Sequence, residues 1–243
     1  MFSIDRRMLY IIIVIFFLLN ISTFTPDYLL GLVLTLPGVI IAITFHEFAH
    51  AYVADKLGDD TARIQGRLNL NPLSHVDPIG FIMLIIAHFG WGKPVQINPR
   101  NFNSKISLSA GEAIVSIAGP IMNFILSIIF TIIAFILMAV APAFLLTQTG
   151  DIVMQIIEYT IIVNVGLGVF NLIPLPPLDG SKVLKHFLPY NGKRWFEEHE
   201  MIFYIGFLIL WVTGIAGDII SPIIDLICNG LMWIGSRIFL IFM

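Results

Sequence analysis

Two histidines four residues apart flank a glutamate in His46-Glu47-Phe48-Ala49-His50, an order of side chains suited to metal-assisted hydrolysis. Residues at this spacing share one face of a helix, so both imidazoles can hold a single zinc ion. Glu47 falls beside them, able to take a proton from a water that zinc makes acidic near neutral pH. Zinc needs a third protein ligand, and common continuations fail: positions 53 and 56 are Val53 and Lys56, and the next glutamate is Glu112. The best remaining candidate is Asp179, in Asn171-Leu172-Ile173-Pro174-Leu175-Pro176-Pro177-Leu178-Asp179-Gly180. It completes a His-His-Asp set, one zinc per chain, with a fourth position open for water.

The elements that must position these groups are apolar. Hydrophobic residues make up 58% of the chain and charged residues 12%, with a mean hydropathy of +0.93. A soluble domain carries about a quarter of its residues as charges, so lipid supplies the solvent for most of this exterior. Spanning helices need about 20 apolar residues. Six are expected: Met8–Phe24, Tyr28–Lys56, Ser109–Leu146, Ile152–Pro174, Met201–Gly217 and Ile219–Phe242. The fold class is thus all-α and membrane-embedded, a single domain over residues 1–243 with its core at 33–185. Pro37-Gly38 predicts a kink in the second span, and Pro142 an early end to the third. Ile79–Trp91 is apolar but too short to cross.

Burying three ionisable groups in an apolar span costs on the order of 2–3 kcal/mol each unless they are paired or metal-bound. A chance pair of surface histidines is therefore a poor account of this motif. The prolines break the fourth span at the same end, and spans two and four, taken as antiparallel, bring Asp179 level with the histidines. Every lysine and arginine falls on one side of this arrangement, and the opposite loops carry acids such as Asp27, Asp151 and Asp218. The positive-inside rule then puts both termini and the 59–107 loop in the cytoplasm of a multi-pass cell-membrane protein. A net charge of −3 gives no reason to expect nucleic acid. The single cysteine, Cys228, excludes an internal disulfide.

Together, His46-Glu47-Phe48-Ala49-His50 and the Asn171–Gly180 stretch resemble the site-2 protease family of zinc intramembrane metalloproteases. The resemblance runs from about Val33 to Lys185. It implies His46, His50 and Asp179 as zinc ligands, Glu47 as general base, and Asn171 as a donor to the developing oxyanion. Gly119-Pro120-Ile121-Met122-Asn123 is similar to another family segment and implies that Asn123 is a polar contact beside the site. The chain looks like a minimal branch without PDZ or CBS domain. The implied function is peptide hydrolysis in or near transmembrane segments, close to the cytoplasmic face. Its partners would be a membrane-protein substrate and the lipid bilayer, with homo-oligomerisation left open. The alternatives are a non-proteolytic zinc-binding chaperone or transporter, or a membrane zinc hydrolase of lipid-modified substrates.

The loop at residues 59–107 reads as a re-entrant or β-ribbon element, or as an ordinary cytoplasmic loop. Its Val95-Gln96-Ile97 run could accept an extended substrate along a strand edge. Within His75-Val76-Asp77, a turn-stabilising hydrogen bond between His75 and Asp77 is expected. His88 reads as interfacial, and His186 and His199 as solvated.

Overall fold

The computed structural model describes residues 25–81 and 92–242. Seven helices organise them: α1 (Pro26–Lys56), α2 (Leu108–Val140), α3 (Gln148–Asn171), α4 (Asp179–Phe187), α5 (Tyr190–Glu198), α6 (Glu200–Val212) and α7 (Ile215–Phe242), with short helical turns between. Helices α1, α2 and α3 open on hydroxyl caps. Thr25, Ser107 and Thr147 accept from the backbone N–H groups of Tyr28, Ala110 and Gly150.

Four helices, α1, α2, α3 and residues 215–240 of α7, are long and apolar enough to cross a bilayer. They correspond to expected spans two, three, four and six. Span one lies outside the described residues. Span five is corrected: α6 has 13 residues, about 20 Å of helix against a hydrocarbon core of about 30 Å. It ends before Gly214, whose positive φ of 80° breaks the helix.

α1, α2 and α3 pack against one another, and α7 lies on α2 and α3. The core shared by α2, α3 and α7 is Ala134, Ile157, Ile161, Val165, Val169, Ala216 and Ile220. Polarity across α2 runs inside-out. Ile121, Ile125, Ile128, Ile132 and Ile136 are exposed, whereas Ser116, Asn123, Ser127 and Thr131 are buried. Water would not support that distribution, and hydrocarbon does.

α1 and α3 run in the same direction, with α2 returning between them, which corrects the antiparallel expectation for spans two and four. Two spans separated by one return pass must be parallel. Their C-terminal ends therefore lie together, and the proline-rich break follows immediately on α3. Close approach of α1 to α3 depends on Gly38, where a Cβ would stand 2.8 Å from Thr160 Cα. α1 continues through Pro37 without interruption. α2 ends at Val140, before Pro142 starts a separate turn.

The β-ribbon expectation is also corrected. Among the described residues of the 59–107 loop there is no strand, and one isolated antiparallel bridge joins Val76 to Gly92. Residues 93–98 form no regular element and are tied down mostly through side chains. Asp59 is one such tie, accepting from Asn98 N at 2.7 Å as well as from Thr61 Oγ1 and from Asn101 Nδ2 at 2.9 Å. Such donors satisfy the buried carboxylate and leave the backbone free to depart from sheet pairing. Most of Ile79–Trp91, including His88, lies outside the described residues.

A candidate metal centre

His46 and His50 stand on one face of α1, both buried. Asp179 is the first residue of α4, directly after the break that ends α3. Gly180 makes the turn possible, because a Cβ there would lie 2.3 Å from Leu172 O. The carboxylate reaches both imidazoles: Asp179 Oδ2 is 3.1 Å from His46 Nε2 and 3.2 Å from His50 Nε2. The two Nε2 atoms are 3.0 Å apart.

The other ring nitrogens explain why these three atoms converge. His46 Nδ1 lies 2.6 Å from Asn123 Oδ1, and His50 Nδ1 lies 2.7 Å from Val115 O. Both partners are acceptors, so each neutral imidazole carries its proton on Nδ1 and turns a bare Nε2 inward. Two nitrogen lone pairs and a carboxylate oxygen then face one another with no proton to share, an arrangement that a cation relieves. Tetrahedral zinc, with bonds of about 2.0–2.1 Å, holds its ligand atoms roughly 3.3 Å apart, close to the separations here.

Gly119 of α2 gives an independent sign of the same fit. A Cβ built there would lie 2.5 Å from His50 Nε2 and 2.6 Å from His46 Nε2. The missing side chain leaves the ligand atoms their space.

Asn123 is wholly buried behind His46. Its amide nitrogen donates to Ala42 O at 3.1 Å and to Asn164 Oδ1 at 3.0 Å, so both N–H bonds are spent and only its oxygen faces the ring. Asn164 in turn donates to Thr160 O at 2.8 Å. Sequence reasoning missed Asn164. Its only signal was an amide within an apolar span, which hydrocarbon tolerates only when hydrogen-bonded.

Glu47 Oε2 accepts a hydrogen bond of 2.9 Å from Val95 N, so the loop lies directly against it. Asn171 sits in the last turn of α3 and donates to Leu167 O at 3.0 Å, with no recorded contact to the three ligand residues. His75 is fully buried and bonds Asn69 O at 2.7 Å, not Asp77. Asp77 instead caps Gly80 N at 2.8 Å. Burial pushes the His75 imidazole below its ordinary value, against the pull of the Asn69 carbonyl and with the help of the nearby Arg67 charge.

Comparison with known proteins agrees with this chemistry. The family model described as peptidase family M50 matches residues 146–213. "Putative zinc metalloprotease YwhC" of Bacillus subtilis is 39% identical over 211 residues, covering 86% of this chain and 92% of the relative. "Putative zinc metalloprotease Rip2" of Mycolicibacterium smegmatis is 27% identical over 187 residues, covering 74% of this chain and 67% of the relative. "Putative zinc metalloprotease MJ0611" of Methanocaldococcus jannaschii is 28% identical over 188 residues, covering 75% and 84%. No solved structure matches the chain.

Proposed function

This chain belongs to peptidase family M50, the site-2 protease family, and from that premise we propose that it is a zinc-dependent intramembrane protease that cleaves membrane proteins near the cytoplasmic face. The observation that carries the reading is the convergence of His46, His50 and Asp179, whose ligand atoms all lie within 4.8 Å of one another beside Glu47. Two of these ligands project from a helix long and apolar enough to span the bilayer.

His46 Nε2, His50 Nε2 and Asp179 Oδ2 would hold the zinc. When bound, the ion supplies Lewis-acid polarisation and a water acidic enough to be activated near neutral pH. Glu47 takes a proton from the attacking water as oxygen adds to the peptide carbon. It then delivers that proton to the leaving amine nitrogen as the C–N bond breaks. Asn171, at the end of α3, donates an amide hydrogen to the carbonyl oxygen as negative charge grows there.

Charge asymmetry supports the orientation. Lys56, Arg63, Arg67, Lys93, Arg100, Lys105, Lys182 and Lys185 all lie at the end of the bundle that carries the site, and Asp27 and Asp151 begin helices at the other. The catalytic level is then the cytoplasmic one.

Glu47→Gln tests the reading. The amide is nearly isosteric but cannot accept the proton. The purified variant, assayed against a panel of single-pass membrane proteins, should keep zinc and lose at least 10²-fold in cleavage rate. Cleavage at the parent rate would defeat the protease assignment in favour of a non-proteolytic zinc protein.

A further inference from the structure

We propose that Arg67 is a positioning residue for Glu47, acting through the Lys93-Pro94-Val95 backbone; this rests on the proteolytic reading above. Arg67 lies in the 59–107 loop, far in sequence from the residues it serves. It is about nine-tenths buried, at 9% relative exposure. Among the described residues no carboxylate ion-pairs with it and its buried Nε has no hydrogen-bond partner. A buried, unpaired guanidinium is a costly feature for a loop to retain.

The one hydrogen bond that its guanidinium makes among the described residues shows what it does. Arg67 Nη2 donates to Lys93 O at 2.6 Å, while Lys93 N donates to His75 O at 2.7 Å. The Lys93 residue is therefore gripped at both its N–H and its C=O. Pro94 follows, with its φ fixed by the ring, and the next N–H along the chain is that of Val95, which lies 2.9 Å from Glu47 Oε2. With the Pro94 φ set by its ring, only the Pro94 ψ lies between the Lys93 carbonyl and the Val95 N–H, so holding the one narrows the directions open to the other.

The surroundings leave this segment little freedom to find the same pose unaided. The Val95 side chain is buried with Ala51 and Ala62, one residue from His50 on α1. At Gly92 a Cβ would meet Ile43 Cγ2 at 2.8 Å, His75 O at 3.1 Å and Glu47 Oε1 at 3.6 Å. The loop is thus seated on the face of α1 that carries Glu47, and Arg67 is the side chain that locks its register. One carboxylate oxygen is held by Val95 N–H, which orients the group for proton transfer.

The test uses the full chain in detergent with zinc bound. Arg67→Met should lower kcat by about 10–100-fold with KM and zinc content unchanged, and Arg67→Lys should restore part of the loss. Val95→Pro removes the N–H itself, so the double variant should be no slower than the worse single one. Amide hydrogen exchange should show Val95 released in Arg67→Met while α1, α2 and α3 keep their protection. An unchanged kcat with Val95 released overturns the proposal, as does additive loss in the double variant. Loss of zinc or fold in both Arg67 variants also overturns it, since that marks a general structural role. Should the parent cleave nothing that Glu47→Gln spares, the proteolytic reading falls, and exchange decides the clamp alone. A Val95 amide still protected in Arg67→Met then overturns it.

Discussion

The 2.6 Å contact between His46 Nδ1 and Asn123 Oδ1 fixes which nitrogen of His46 can meet a metal. Because both amide hydrogens of Asn123 are donated to Ala42 and Asn164, its oxygen cannot exchange places with its nitrogen without breaking two bonds. The metal-facing nitrogen is therefore set by residues on three helices. Such contacts behind a ligand are typically worth 10–100-fold in metal affinity.

Asn164 should share that effect without touching the metal. Asn164→Leu frees the Asn123 amide to rotate, and zinc affinity, measured by competition with a chromophoric chelator, should fall about 10-fold or more while the helical content holds. An unchanged affinity would show that Asn123 is held by Ala42 alone.

The ligand set makes a stoichiometric prediction. His46→Ala and Asp179→Ala should each be purified with strongly reduced zinc, against one equivalent in the parent. Full occupancy in both variants would falsify the assignment.

Gly119→Ala should empty the same site with every ligand in place, since the new methyl would lie 2.5 Å from His50 Nε2. Metal analysis alongside a thermal melt separates the two outcomes. Loss of zinc with little loss of fold is expected, and normal zinc content would mean that α2 can shift away.

Asp59 gives a pH prediction. Burial pushes its carboxyl up, but donors from Thr61, Asn98 and Asn101 outweigh burial and hold it below the ordinary value of 3.8. The folded value lies below the unfolded one, so the unfolded chain binds more protons. The contribution of Asp59 is complete above 3.8 and is lost as pH falls through the lower folded value. As pH falls below about 4, the zinc-stripped parent should lose more thermal stability than Asp59→Asn. Parallel losses would show that the carboxylate contributes nothing there.

Orientation can be read by labelling. In a Cys228→Ser background, Thr149→Cys should react with an impermeant maleimide added to intact cells, and Ser104→Cys should react only after lysis. The reverse pattern would invert the topology.

The sequence by itself determined the properties that neighbouring residues encode. Long apolar runs set a membrane-embedded, helical chain, the four-residue spacing placed His46 and His50 on one face, and the prolines before Asp179 marked where α3 stops. It over-read two segments. Residues 200–212 are apolar enough to cross but too short once Gly214 breaks the helix, and alternation in the 59–107 loop resembled strands whose backbone is instead captured by side chains such as Asp59. The sequence also pointed to Asp179 and Asn123 as site residues, but only tertiary structure decided which His46 nitrogen each one meets, that Asn164 stands behind Asn123, and that Val95 lies on Glu47. Those contacts depend on the register of helices packed through Gly38 and Gly119. Hydropathy gives each helix a length and an environment, but packing against its neighbours alone sets its rotation and depth.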